Sequence, residues 1–333
     1  MERRGYLKTI GSLAVGGVAL SVVGRNVWNL FRHPDRLFYD SKRMKGITLL
    51  EENGDFVSPY RRTFGFEVPD DICALDIEGG SIFIATPNNI YIYGLSGELQ
   101  TNFSTPGDLR DIAVFGGRIY ALFPARIEVY DRQGETVQQW DACSETSDYC
   151  SIAVCPDGVF VTDAADKNVC KYNLDGTLAR FIQSPVGFIV PSYCFAVTYL
   201  GDRIYCSNPG RHRVEIYSTE GEFLSSFGKP GAEVGAFSGC CNPAIITPAG
   251  NGELLTSEKG IPRISCYSAD GEFRSILLDS KALGGGHTAY DIRIMKDKLI
   301  VAGDNKVSVF QYNKRLSQQT LCGQCDKDCP LKL

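Results

Sequence analysis

The sequence has little of several features that would indicate common functions. Lys and Arg number 34 against 39 Asp and Glu, a formal charge of −5, so the chain lacks the basic excess with which nucleic-acid-binding proteins neutralise phosphates. Histidine occurs 3 times, at scattered positions whose spacing does not predict a three-histidine zinc site. The chain also contains no P-loop, no Gly-x-Gly-x-x-Gly and no Cys-x-x-Cys-His motif, so no signature of nucleotide or c-type haem binding is present.

The apolar run at the N-terminus is too short to cross a bilayer. It extends from Ile10 to Val23, whereas a spanning helix needs about 20 residues. The preceding Arg3-Arg4-Gly5-Tyr6-Leu7-Lys8 resembles the twin-arginine export signal, which implies a prokaryotic protein that is exported after folding, often with a metal cofactor already inserted. Glu2 departs from the signal's usual Ser or Thr, and no Ala-x-Ala cleavage site follows. Retention as a membrane anchor, a general-secretory signal and a disordered basic start remain alternatives.

The sequence divides into four predicted regions. We assign residues 1–24 to an export signal or anchor and residues 25–55 to a linker or extension, in which a short amphipathic membrane-surface helix is an alternative. Residues 56–313 form the main domain, and residues 314–333 form a Cys-rich tail. The resemblance of the signal implies a periplasmic or secreted location for the main domain.

Six copies of one short pattern recur along the main domain. In each copy an alternating apolar strand ends in an aromatic residue, and the first five copies continue into a turn with Gly four residues later. The aromatic residues are Tyr93, Tyr130, Tyr172, Tyr217, Tyr267 and Phe310. They are separated by 37 to 50 residues, a period typical of architectures that repeat one supersecondary unit.

The repeats predict an all-β, six-bladed β-propeller. Each repeat supplies four short strands, and a sheet of that size cannot bury both faces unless copies pack side by side and close into a ring. The sixth copy lacks a fourth strand after Tyr312, whereas residues 53–66 read as a fourth strand without a unit of their own. We therefore expect the N-terminal strand to complete the last blade. The competing β-sandwich and β-helix architectures do not fit this period.

The repeats resemble those of the NHL-repeat propellers. The two copies that match best begin at Gly158-Val-Phe-Val-Thr-Asp163 and at Asp202-Arg-Ile-Tyr-Cys-Ser-Asn208. The resemblance covers about residues 56–313 and implies a propeller fold. For function it implies a binding platform or scaffold and, less often, an enzyme.

The C-terminal tail contains three cysteines at a defined spacing. Cys322-Gly-Gln-Cys325-Asp-Lys-Asp-Cys329-Pro330 resembles the end of the bacterial ferredoxin motif, which implies an iron–sulfur cluster. The first Cys of that motif would fall at position 319, which is Gln, so a fourth ligand has to come from elsewhere. Zinc is one alternative, and disulfides are another because an exported protein meets an oxidising compartment.

Other cysteines are predicted to meet at the mouth of the propeller channel. Alignment of the inner strands places Cys150 and Cys241 at equivalent positions, with Cys194 one residue further in and Cys240 adjacent. Because inner strands line the channel, these thiols could form a metal or cluster site. The alternative for any of them is burial as a small apolar residue. We favour that second interpretation for Cys73, Cys155, Cys170, Cys206 and Cys266.

Four further residues are candidate contacts for a ligand or partner at the propeller rim. Glu258 and Arg263 lie in a turn dense in opposite charges, with a surface ion pair as the alternative. Arg293 lies on the sixth inner strand, where an inward guanidinium must pair with an acid or a bound anion. His287 follows three Gly residues in a loop that could overhang the channel, with an ordinary surface loop as the alternative.

Together these features predict an exported propeller that acts as a binding or scaffold module. Its partner would be a protein or small ligand of an extracytoplasmic assembly, with no nucleic acid and with membrane association through the N-terminus. Two alternatives remain open: an iron–sulfur electron-transfer subunit, and a lyase or hydrolase with a metal in the channel. The sequence identifies no catalytic residue.

Overall fold

The repeats form a ring of sheets around a central axis. In the computed structural model, residues 58–285 and 289–313 are described, and they fold into six antiparallel four-stranded sheets. The predicted all-β, six-bladed propeller is confirmed. Within these residues the helical segments are α1 (Ser280–Leu283) and two 3-10 turns (Pro191–Tyr193 and Pro209–Arg211). None of the helices in this part of the chain is long and apolar enough to cross a membrane.

Blades 1 to 5 each consist of four consecutive strands, which follow one another from the axis outward. Blade 1 contains β2 (Ala74–Glu78), β3 (Ser81–Thr86), β4 (Asn89–Gly94) and β5 (Leu99–Ser104). Blade 2 contains β6 (Asp111–Phe115), β7 (Arg118–Phe123), β8 (Arg126–Tyr130) and β9 (Thr136–Asp141). Blade 3 contains β10 (Tyr149–Cys155), β11 (Gly158–Asp163), β12 (Asn168–Tyr172) and β13 (Leu178–Ile182). Blade 4 contains β14 (Val197–Leu200), β15 (Arg203–Asn208), β16 (Arg213–Ser218) and β17 (Phe223–Phe227). Blade 5 contains β18 (Ile245–Pro248), β19 (Glu253–Glu258), β20 (Arg263–Ser268) and β21 (Phe273–Leu278).

Blade 6 is assembled from both ends of the described chain. It contains β22 (Asp291–Met295), β23 (Lys298–Gly303), β24 (Lys306–Tyr312) and, outermost, β1 (Tyr60–Glu67). Strands β1 and β24 pair antiparallel from Tyr60 opposite Tyr312 to Glu67 opposite Lys306. The predicted closure by an N-terminal strand is therefore confirmed, and it brings together segments more than 200 residues apart in sequence.

The hydrophobic core lies between the blades. Six clusters of buried apolar side chains occupy the described structure, and each one is shared by two neighbouring blades. The cluster between blades 6 and 1, for example, joins Ile300 and Val309 to Leu75 and Ile84. Because every blade buries apolar side chains against both neighbours, its two faces are covered only when the ring is closed.

The recurring aromatic–Gly spacing has a packing cause. Tyr172 ends β12 and lies against Trp140 on the outer strand of blade 2, with ring centroids 5.9 Å apart. The turn that follows contains Gly176 at φ +89°, and a Cβ there would overlap the same Trp140 indole. Positive φ favours glycine, and the close approach of the neighbouring aromatic ring requires it.

We predict that Gly176→Ala destabilises the protein more than Gly201→Ala. Gly201 has a φ of +70° but open space where a Cβ would lie, so alanine there adds only the backbone strain of about 1–2 kcal/mol. Alanine at position 176 adds overpacking against Trp140, for a total of roughly 2–4 kcal/mol. The free energy of unfolding from urea titration measures both. Equal destabilisation by the two substitutions would contradict this account of the repeat.

Candidate functional site

The inner strands of all six blades enclose a cavity on the axis of the propeller. Its volume is about 810 Å³, and residues of β2, β6, β10, β14, β18 and β22 line it. We call the face at which these inner strands begin the entrance face. The wall is not uniformly apolar, because carboxylates, a guanidinium, an ammonium group and several thiols contribute to it.

Three aspartates on the wall connect neighbouring blades. Asp291 of blade 6 accepts a hydrogen bond from the backbone N–H of Leu75 in blade 1 (2.6 Å). Asp76 of blade 1 accepts from Val114 in blade 2 (2.6 Å), and Asp111 of blade 2 accepts from Ile152 in blade 3 (2.9 Å). These carboxylates satisfy backbone donors that face the gaps between inner strands, where no ladder partner is available.

Arg293 lies among these carboxylates. Its Nε donates to Asp76 Oδ1 at 2.9 Å and its Nη1 to Asp291 Oδ1 at 2.8 Å. The predicted pairing of an inward Arg293 with acidic groups is confirmed. Contact of Arg293 with a ligand stays a prediction. Burial, together with the charge of Asp291, raises the pKa of Asp111 to about 7, and burial also raises the pKa of Asp291. One guanidinium therefore compensates three carboxyl groups only in part.

Three thiols from two blades meet at the entrance. We call Cys194, Cys240 and Cys241 the thiol trio. The Sγ atoms of Cys240 and Cys241 are 3.2 Å apart, and Cys194, whose thiol donates to the Ser192 carbonyl (3.6 Å), approaches Cys241 from blade 4. The Cys194 thiol, with further support from Cys240, Ser192 and the Lys259 ammonium group, lowers the pKa of Cys241 to about 5. Of the three thiols, Cys241 is therefore the one that loses its proton most readily.

Local hydrogen bonds position the thiol trio. The Asn242 side chain accepts from the Lys259 N–H (2.9 Å) and donates to the Lys259 carbonyl (2.8 Å), which fixes the cysteine loop to the β19–β20 turn. Cys194 follows the Pro191–Tyr193 turn, in which Ser192 and Tyr193 have positive φ. Cys194 and Lys259 line the cavity, whereas Cys241 is only 3 % exposed and lies behind them. A ligand in the channel would therefore meet Cys194 and Lys259 first.

The other cysteines of the described residues do not join the thiol trio. Cys150 lines the cavity but donates to the Asp148 carbonyl (3.7 Å), near Arg110. Cys73, expected to be a buried structural residue, is exposed and also lines the cavity. The tail residues Cys322, Cys325 and Cys329 and the loop residue His287 lie outside the described residues, so the cluster motif and the overhanging histidine stay predictions.

Glu258 and Arg263 do not lie on the rim, which corrects the expectation from the sequence. The two residues face each other at the end of the β19–β20 ladder and are both at most 1 % exposed. Arg263 Nε donates to Glu258 Oε1 at 2.6 Å, and its Nη2 donates to Glu258 Oε2 (2.9 Å) and to the carbonyl of Ala236 (2.5 Å). A fully buried, hydrogen-bonded pair stabilises the turn internally and presents no charge to a ligand.

An apolar loop borders the trio on the entrance face. The segment between β13 and β14 exposes Val186, Ile189 and Tyr193, and Tyr193 is 64 % accessible. The Arg110 guanidinium lies 5.9 Å from the centre of the Tyr193 ring, within range of a cation–π interaction. Exposed apolar side chains beside the thiol trio and a channel form a surface suited to contact with another molecule.

The aspartates and Lys259 are not among the site residues predicted from the sequence. A signal was present for two of the aspartates, since Asp111 and Asp291 each begin an inner strand and precede an Ile. For Lys259 there was none, because its approach to Cys241 depends on how two turns of blade 5 pack together.

Comparisons with known proteins support the fold. No family model and no curated protein matches the chain. Among solved structures, a streptogramin B lyase is 16 % identical with a TM-score of 0.55, over 76 % of this chain and 98 % of that one. A virginiamycin B lyase from Staphylococcus aureus is 13 % identical (TM-score 0.53, 76 % and 99 %). The Pan2 WD40 domain from Neurospora crassa is 8 % identical (TM-score 0.53, 77 % and 98 %). At these identities the likeness is one of fold alone.

We predict that Asp111→Asn changes the pH dependence of stability. A carboxyl group whose pKa is raised in the folded state stabilises the fold below its unfolded pKa, near 4, and this contribution is lost as the pH rises through about 7. The amide cannot ionise, so the variant should gain stability relative to the wild type between pH 4 and 7, by roughly 2–4 kcal/mol. Urea unfolding across this range measures the difference.

The exposed Asp202→Asn serves as the control, because its side chain is 94 % accessible and its replacement should leave the slope unchanged. A constant stability difference between Asp111→Asn and the wild type across the pH range would mean that the Asp111 carboxyl titrates normally.

Proposed function

We propose that the protein is a propeller-type binding module that engages its ligand or partner at the entrance of the central channel, with the thiol trio as the anchoring group. The observation that carries this proposal is the pair of sulfurs of Cys240 and Cys241, 3.2 Å apart, next to Cys194 and Lys259 on the cavity wall, an arrangement that lowers the pKa of Cys241. Thiolates are the cysteine form that binds metals and reacts with electrophiles. The sulfurs of Cys240 and Cys241, which lie 3.2 Å apart, therefore favour a soft metal ion or a ligand that carries one.

The surroundings of the trio support a binding role. Lys259 places a positive charge at the cavity wall, and Tyr193 and Ile189 offer apolar contact on the adjacent loop. A cavity of about 810 Å³ is within the size range of sites that hold small molecules. The scaffold role, the NHL type of the repeats and the extracytoplasmic location remain parts of the proposal that rest on the sequence, including the Arg3–Lys8 segment.

The proposal predicts that Cys241→Ser loses a soft-metal site. Full-length protein in which Cys322, Cys325, Cys329 and Cys143 are replaced by Ser removes from the measurement the tail thiols and the close Cys143–Cys170 pair of blade 3, whose Sγ atoms are 2.9 Å apart. Anaerobic titration of this reduced protein with Cd²⁺ should show one equivalent whose thiolate charge-transfer absorption disappears in Cys241→Ser, with affinity lowered at least about tenfold because a thiolate ligand is replaced by a neutral hydroxyl.

Cys73→Ser in the same background is the matched control, since Cys73 lines the same cavity without belonging to the trio. It should retain the Cd²⁺ equivalent. If Cys241→Ser binds as much Cd²⁺ as its parent, with the same absorption, the trio is not the anchoring group and the proposal fails.

A propeller lyase is the second candidate function, and the Asp111 carboxyl favours it. A pKa of about 7 suits a general base at neutral pH, and Arg293, which interacts electrostatically with Asp111, could stabilise a developing negative charge. Under this alternative, Asp111→Asn abolishes turnover but leaves Cd²⁺ binding at the trio intact. The two candidate functions can therefore be distinguished: loss of turnover in Asp111→Asn supports the lyase, and loss of Cd²⁺ binding in Cys241→Ser supports the binding module.

A further inference from the structure

A second group of sulfur and oxygen donors lies away from the channel, in blade 3. Cys143 and Cys170 have their Sγ atoms 2.9 Å apart. One oxygen ligand atom of Asp163 and both sulfurs all lie within 4.8 Å of one another. Cys170 and Asp163 are fully buried. We call these three residues the blade 3 donor group.

The Asp163 carboxylate is held in one direction by the backbone. Its Oδ1 accepts hydrogen bonds from the N–H groups of Asp148 (3.0 Å), Ala165 (3.0 Å) and Asp166 (3.2 Å). Its Oδ2 is buried and has no hydrogen-bond partner. A buried carboxylate oxygen without a partner lowers the stability of the folded state. A bound cation would provide the partner that the described protein groups do not give to Asp163 Oδ2.

We propose that Cys143, Asp163 and Cys170 bind a zinc-like divalent cation. Thiolate and carboxylate ligands in a compact, closed group are typical of structural zinc sites, and a tetrahedral shell needs donor separations of roughly 3–4 Å. The Asp163 oxygen lies within 4.8 Å of both sulfurs, and the sulfurs, 2.9 Å apart, would have to separate by roughly 1 Å to hold the ion. The cation supplies the missing partner of Asp163 Oδ2, and sulfur donors select zinc over magnesium or calcium.

Two further polar side chains border the donor group. Asn168 Oδ1 accepts from Cys170 Sγ (3.4 Å), and the residue is 6 % exposed at the start of β12. Ser147 Oγ, 3.5 Å from Cys143 Sγ, borders the other side of the group. Because Asp163 and Cys170 are fully buried, a cation held here would have a structural rather than a catalytic role.

The site would join two blades at the entrance face. Cys143 lies just after β9, the outer strand of blade 2, whereas Asp163 and Cys170 belong to the β11–β12 hairpin of blade 3. The backbone N–H of Cys143 also donates to Tyr149 Oη (2.8 Å), and Tyr149 Oη contacts Tyr172 Oη (2.5 Å). A bound cation would therefore fix the connection between blades 2 and 3 next to the channel entrance.

The test is the zinc content of the reduced full-length protein after dialysis against Zn²⁺, measured by mass spectrometry of the metal. Asp163→Asn is the decisive variant, because the amide oxygen can still accept the three backbone hydrogen bonds while Nδ2 replaces the ligand oxygen. Both Asp163→Asn and Cys143→Ser should lose one zinc per chain relative to the wild type. Zn²⁺ should raise the melting temperature of the wild type more than that of either variant, because each variant has lost this one site.

Cys155→Ser is the matched control, a buried cysteine of the same blade outside the donor group, and it should retain the ion. Retention of the zinc by either Asp163→Asn or Cys143→Ser overturns the assignment. So does peptide mapping that finds Cys143 and Cys170 joined as a disulfide in protein prepared with Zn²⁺ present. Because neither variant touches the thiol trio, the outcome is independent of the Cd²⁺ measurement on Cys241.

Discussion

Closure of the ring is the constraint on which the rest of the structure depends. Each blade is a four-stranded sheet with apolar side chains on both faces, and those faces are covered only by the two neighbouring blades. Five interfaces form between units that follow one another in sequence. The sixth needs β22 to β24 and β1 to combine into one sheet. Without that pairing, two blades would expose apolar surface and the cavity on the axis would not exist.

The polarity of the channel follows from the same geometry. Inner strands of neighbouring blades converge on the axis without forming a continuous sheet, so backbone donors between them need other acceptors. Asp76, Asp111 and Asp291 provide these acceptors, at the expense of placing three carboxyl groups near one another. Arg293 offsets part of that charge, and burial together with the charge of Asp291 raises the pKa of Asp111. A carboxyl group that joins two blades is thereby also one that takes up a proton more readily than a carboxyl in water.

The sequence predicts the ring better than the site. The aromatic–Gly spacing is visible because each interface repeats the same close contact, as at Gly176 and Trp140. Alignment of the inner strands also predicts how far along the channel axis a residue lies. It does not predict which residues of different blades come into contact. Cys150 and Cys241 therefore align, yet they belong to blades 3 and 5, whereas Cys194 in the intervening blade meets Cys241. Burial of Glu258 and Arg263 depends on loop carbonyls such as that of Ala236, which no local pattern encodes.

The two cysteine groups of the entrance face differ in how accessible they are to an incoming ligand. Accessibility distinguishes a site that exchanges its ligand from one that holds an ion permanently. The thiol trio borders a cavity, neighbouring thiols and Lys259 lower the pKa of Cys241, and Cys194 reaches the channel wall. Such an arrangement leaves room for an incoming ligand. The blade 3 donor group is enclosed, and three backbone N–H groups fix its carboxylate in place. Metal sites with an open position exchange ligands, and closed sites contribute to folding. The two proposals therefore divide the cysteines of this face between a structural role in blade 3 and a binding role between blades 4 and 5.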